Sequence, residues 1–85
     1  MITRSYVIAD PQGLHARPAA QFIQAMALCP EAVQVTFGEK HANGKSILNV
    51  LALGVRAGDA IVVHYQTDDE AIVKRCEEAL KPLLS

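Results

Sequence analysis

The chain has no tryptophan, only two tyrosines and two phenylalanines, and a formal net charge of -1. It therefore offers few flat side chains on which bases could stack and no basic excess to follow a phosphate backbone, and no nucleic-acid partner is expected. Cysteine is nearly as scarce: Cys29 and Cys76 stand far apart, without C-x-x-C spacing and among apolar neighbours, and they read as plain core or part-buried thiols. No apolar run approaches membrane-spanning length, and the opening MITRSYVIADPQG has no long apolar core behind its positive charge. Neither direct membrane insertion nor a signal peptide is expected, and the expected location is cytoplasmic. No histidine, cysteine or carboxylate set has metal-ligand spacing, and nothing pairs an acid with a base in a pocket. No metal, no cofactor and no enzyme activity of its own is expected.

The 85 residues, 51% of them hydrophobic and 20% charged, suit a single globular domain over 1–85 with few elements and an economical core. TRSYVIA alternates as a strand does, and DPQG ends it. From Pro18, apolar residues recur at Ala19, Phe22, Ile23 and Met26, one face of a helix that closes at Cys29 and Pro30. AVQVTF puts Val33, Val35 and Phe37 on one strand face, and Gly38 turns the chain into a short strand at 40–42. NGKS then breaks the chain before ILNVLALG, a short helix capped by Ser46 and stopped by Gly54, with Val55 placed for the apolar contact that accompanies such an end. After a turn at RAGD, the β-branched run AIVVHYQ is a strand, and TDDE predicts a capping box between Thr67 and Glu70. The helix that follows is expected to bury Ile72, Cys76, Ala79, Leu80 and Leu83 and to fray at Pro82. The order β-α-β-β-α-β-α is satisfied by one four-stranded sheet with helices on one face and water on the other. Such a layer has no deep cleft, so chemistry belongs at a helix end or loop rim.

GLHARPAA, residues 13–20, fits that requirement. With a helix starting near Ala16, His15 is the cap residue, and the following backbone amides point outward without intrahelical partners. An anion on the imidazole would meet those amides, the positive end of the helix dipole and the Arg17 guanidinium. Gly13 frees the backbone to turn sharply, and Leu14 anchors the loop while the ring stays exposed. A cap or an ordinary surface histidine is the plainer reading of the spacing alone. His41 and His64 fall on strands without such surroundings and read as surface or ladder residues. Asp68, Asp69 and Glu70 read as a solvated capping cluster.

GLHARPAAQF closely resembles the active-site signature of the HPr family, the histidine-containing phosphocarriers of the bacterial phosphoenolpyruvate-dependent sugar phosphotransferase system, and GKSILNVLALG resembles the family's second motif. The resemblance covers the whole chain. It implies an α+β fold, an open-faced β-sandwich with a four-stranded antiparallel sheet and three helices on one face. It also implies a phosphoryl group carried on Nδ1 of His15, with Arg17 and the amides of Ala16 and Arg17 supporting the phosphate. The implied partners are Enzyme I as donor and the IIA domains of sugar permeases as acceptors. Ser46 matches a serine that an HPr kinase/phosphorylase modifies in many members, producing a form that docks a catabolite-control transcription factor. Related circuits imply two alternatives, a regulatory binding module and a phosphocarrier of the nitrogen branch. Ala20, Gln24, Ile47, Leu48 and Leu51 match the docking surface, here rimmed by Arg17, Lys45 and Gln21, on an expected monomer. One of Leu48 and Leu51 is expected to fill the core, and at least one of Ile47 and Leu48 to be exposed. The chain departs from kinase-responsive relatives at Gly44, where they have leucine, and at Asn49, where they have glycine.

Overall fold

Alternation of apolar and polar residues becomes four antiparallel strands, β1 (Ile2–Val7), β2 (Val33–Phe37), β3 (Lys40–Asn43) and β4 (Ala60–Tyr65), in a computed structural model that describes residues 1–85. They lie in the order β1-β4-β2-β3. Pairing sets Tyr6 opposite Ile61, Val35 opposite Val63 and Val35 opposite Ala42, so one face carries the buried apolar set. Thr3, Ser5, Gln34, Thr36, His41, Asn43 and His64 occupy the other face, half-buried or exposed. Because side chains alternate strictly, a slip of one residue would exchange these two sets, and the contrast between them holds the register. The helices are α1 (Ala16–Met26), α2 (Ile47–Ala52) and α3 (Glu70–Leu80), with a short 3-10 turn at Lys81–Leu83 where Pro82 ends α3. The open-faced α+β architecture is thus the one expected.

Helix α1 packs on the sheet through Pro18, Ala19, Phe22, Ala25 and Met26, with Ile23 at the margin. Phe22 and Met26 are fully buried, each worth about 1.5–3 kcal/mol relative to an exposed side chain. The two thiols, Cys29 in the segment after α1 and Cys76 on α3, are both buried and free. Burial pushes the Cys76 thiol up from its ordinary value, and the nearby Cys29 adds to the effect.

The start of α3 differs from the expected capping box. Its cap is Asp69, whose carboxylate accepts the Ala71 amide at 3.0 Å. Thr67 is buried and accepts the Asp69 amide at 3.2 Å, while Glu70 pairs with Arg4 at 2.8 Å. A charged acceptor gains more at the positive helix end than a hydroxyl does, and the Thr67 turn places Asp69 there. The buried face of α3 also differs from the expected one: Val73, Cys76 and Leu80 point inward, with Leu83 buried in the turn beyond, Ile72 is half-buried, and Ala79 faces water rather than the core.

A polar seam joins α3 to the edge strand. Tyr6 donates to Glu77 Oε2 at 2.9 Å, and its oxygen lies 2.9 Å from that of Tyr65, leaving Tyr65 to donate to it. The Arg4 Nε lies 3.5 Å from the same Glu77 oxygen. Burial pushes both phenols far above their ordinary value, and the Glu77 carboxylate at the Tyr6 oxygen raises that one further. The unfolded chain sheds its phenol protons at about pH 10 while the folded chain keeps them, so the native state binds more protons and stability falls as pH rises past that value. Spectrophotometric titration of the two tyrosines should show phenolate appearing together with loss of the far-ultraviolet dichroism, not before it. Asp69→Ala should cost about 1 kcal/mol by urea unfolding, and Thr67→Ala is not expected to abolish the cap.

Candidate functional site

The loop entering α1 is held by backbone bonds at both ends. The Ile8 amide donates to Asp59 O at 2.9 Å, Ala9 to Leu83 O at 2.8 Å and Leu14 to Val55 O at 3.1 Å. Leu14 is completely buried beneath it. Gly13 has φ of 63° and runs so close to the next segment that a Cβ there would sit 2.4 Å from Val55 O and 2.8 Å from the Arg56 Cα. Both neighbours are backbone and cannot yield, so glycine is required twice over.

The chain is extended at His15 (φ -127°, ψ 160°), which occupies the N-cap, but its side chain makes no capping bond. The ring is exposed and has no hydrogen-bond partner in the chain, so the cap reading does not describe it. Ala16 follows with φ of 51°, the one non-glycine residue in the left-handed region. That conformation costs about 1–2 kcal/mol for a residue with a Cβ, and its place here, between the histidine and the first full turn, is where functional sites store strain. The amides of Ala16 and Arg17 have no partner within the chain, Pro18 has none to offer, and the Ala19 amide reaches His15 O at 3.4 Å. Arg17 is exposed and takes part in none of the ion pairs. An exposed imidazole, two open amides and an unpaired guanidinium therefore surround one helix mouth. This arrangement can hold a small anion without enclosing it.

Asp10, Gln12, Ala16, Arg17 and Gln21 line a shallow groove at the mouth of α1, which takes in the two residues that follow His15. Asp10 and Gln12 were legible only as a strand stop, although the D-x-x-G spacing is that of an Asx turn, and Asp10 Oδ1 does accept the Gln12 amide at 2.9 Å. A second shallow groove, lined by Gln34, His41, Asn43 and Asn49 at the sheet edge, brings no carboxylate or thiol to its histidine.

Helix α2 packs against α1. Ser46 caps it, its Oγ accepting the Asn49 amide at 3.4 Å. Asn49 Oδ1 accepts the Asn43 amide at 3.4 Å, and Asn43 Oδ1 accepts the Lys45 amide at 2.9 Å. Gly44 is buried, and a Cβ there would meet Val33 Cγ1 at 2.8 Å, so a side chain at this position would require Val33 to shift. Lys45 does not rim the surface as a free cation: its ammonium donates to the Cys29 carbonyl, and the side chain is half-buried. Ile47 and Leu48 are both exposed, at 40% and 75%. The core positions of α2 belong to Val50 and, just beyond it, Leu53; Leu51 is half-buried and Leu48 faces water, so neither expected leucine fully joins the core. Ala20 is half-buried and Gln24 exposed on α1. The five residues of the expected docking surface lie on these two packed helices.

The remaining histidines are elsewhere. His41 is exposed on β3, and His64 lies on the open face with its ring 2.7 Å from Thr36 Oγ1 and 3.4 Å from Thr3 Oγ1. Asp68, Asp69 and Glu70 are all exposed, and the last two cap and brace α3. Gly13→Ala should destabilise the protein by at least about 2 kcal/mol, because the clash with fixed backbone adds to the strain of the left-handed conformation, and urea unfolding will measure it. The same variant should shift the amide resonances of Leu14–Arg17 more than those of α3.

A model of the family described as "PTS HPr component phosphorylation site" matches residues 2–82. The phosphocarrier protein HPr of Lysinibacillus sphaericus is 36% identical over 85 residues, covering 100% of this chain and 93% of that protein. A multiphosphoryl transfer protein of Xanthomonas campestris pv. campestris is 38% identical over 79 residues, which are 92% of this chain but 9% of that protein. Among solved structures, a crystal structure of HPr from Thermoanaerobacter tengcongensis superposes with a TM-score of 0.85 at 30% identity, covering 95% of this chain and 92% of the other. Sequence and fold lead to the same group, and no helix of the chain is long and apolar enough to cross a membrane. The chain belongs to the HPr family of the phosphotransferase system, and it is a phosphocarrier rather than an enzyme.

Proposed function

We propose that His15 is the phosphoryl acceptor, taking the group from phosphorylated Enzyme I and passing it to the IIA domains of sugar permeases. The observation that carries this reading is the exposed, unpartnered His15 ring beside the open amides of Ala16 and Arg17 and the unpaired Arg17 guanidinium. In the neutral imidazole, with the proton on Nε2, the Nδ1 lone pair attacks the phosphorus of the donor's phosphohistidine. A P–N bond forms at His15, the donor's P–N bond breaks, and its electron pair returns to the donor ring. Transfer onward repeats the step with His15 as the leaving group. Arg17 and the two amides spread the charge of the phosphoryl oxygens in both steps.

An open site suits this task, because two proteins must bring two side chains into line and a deep pocket would forbid it. Exposed Ile47 and Leu48 with Leu51 on α2, and Ala20 and Gln24 on the adjoining α1, supply a landing area for transient partners. Ser46 is the regulatory position in this reading: an HPr kinase/phosphorylase would add a dianion beside that landing area, weakening acidic partners and creating a form suited to a catabolite-control transcription factor. The carrier acts as a cytoplasmic monomer.

Purified protein incubated with Enzyme I, magnesium and phosphoenolpyruvate should acquire one acid-labile phosphate, absent from His15→Ala and retained in His41→Ala and His64→Ala. Arg17→Ala should still be phosphorylated, with transfer slowed at least about tenfold. Label in His15→Ala at the native level would overturn the assignment.

A further inference from the structure

The residues that attract an anion at the mouth of α1 do not act alone. Asp10, itself half-buried, lines the same groove as Ala16 and Arg17. Its carboxylate is pinned through Oδ1 to the Gln12 amide at 2.9 Å, its carbonyl accepts the Gly13 amide at 2.8 Å, and its own amide donates to Leu83 O at 3.3 Å. It belongs to none of the ion pairs, which join Met1 to Asp68 and Arg4 to Glu70 and Glu77. Asp10 and Arg17 thus share a groove without neutralising each other, and the anchored Asp10 backbone keeps the acid there.

We propose that Asp10 is a fixed counter-charge in the groove that weakens its hold on a phosphoryl group at His15 and so tunes how readily that group is given away. The inference rests on the phosphocarrier reading above. A carrier with only attractive groups around its phosphate would keep it. Here the two amides and Arg17 draw the phosphoryl oxygens in, and a carboxylate held nearby by the turn repels them. The groove is open to water, so the repulsion is modest, on the order of a threefold change in affinity, and salt screens it.

Asparagine separates this role from the turn. Asp10→Asn keeps an oxygen to accept the Gln12 amide and removes the charge, whereas Asp10→Glu keeps the charge and alters the turn. Inorganic phosphate is titrated against the amide resonances of Ala16 and Arg17. In parallel, His15 is loaded chemically with phosphoramidate, in which a P–N bond forms at the ring, the donor's P–N bond breaks, ammonia leaves and the ring sheds one proton to solvent. The loaded group is followed by phosphorus NMR. Asp10→Asn should bind phosphate about threefold more tightly and hold the loaded group correspondingly longer at low salt, with the difference shrinking at high salt. Asp10→Glu should stay close to the native protein. Equal constants for Asp10→Asn and the native protein at low salt, or a difference that salt leaves untouched, would overturn the role of Asp10 while leaving His15 as acceptor. Failure of the native protein to load at His15 would overturn the phosphocarrier reading and this inference with it.

Discussion

The hydrogen bond from the Leu14 amide to the Val55 carbonyl, 3.1 Å long, ties the loop before α1 to the segment between α2 and β4, and the position of His15 depends on it. The bond is possible because Gly13 lets two backbones approach within a distance that any side chain would forbid. Leu14 then drops into the core and leaves no slack before the helix. The chain reaches α1 extended at His15 and enters it through the left-handed Ala16. That strain, about 1–2 kcal/mol, is carried by a loop that the sheet and the C-terminal turn hold from both sides. The outcome is a histidine held at a helix mouth without any side-chain bond to restrain its chemistry.

Much of this was legible from spacing. Periods of two and of about 3.6 located the strands and helices, because each element has one buried face and the sheet has one covered side. The glycine, histidine and proline of GLHARPAA likewise marked a sharp turn, an exposed ring and a helix start. The failures share a cause: several residues competed for one local role and tertiary contacts chose among them. At TDDE, Thr67 and Asp69 could each cap α3, and burial of Thr67 with pairing of Glu70 to Arg4 decided for Asp69. Along α3 the buried face is Val73, Cys76 and Leu80, so Val73 rather than Ala79 lies in the core. In α2, a six-residue helix has too few turns for periodicity to show which leucine faces inward, and both leucines yielded to Val50 and Leu53. The capture of Lys45 by the Cys29 carbonyl joins distant segments and left no mark on local spacing.

The open-faced layer and the carrier role belong together. A sheet covered on one side has nowhere to build an enclosed pocket, so the proposed anion site consists of backbone amides and one arginine at the surface. In water such contacts are weak, which suits a phosphoryl group that must survive diffusion and then be surrendered. The stability of the fold comes from elsewhere, from the apolar face beneath the helices and the Arg4, Tyr6, Tyr65 and Glu77 seam at the far edge strand. The site can therefore be strained and exposed without the fold depending on its contacts.

The central claim is that the ring of His15, alone among three histidines, is presented for phosphorylation at Nδ1. Nitrogen-15 correlation spectra of the imidazoles, recorded on protein loaded with phosphoryl groups, test it most directly. The account predicts a phosphorus coupling at Nδ1 of His15, with the His41 and His64 rings unchanged. A coupling at Nε2 of His15, or on either of the other two rings, would contradict it.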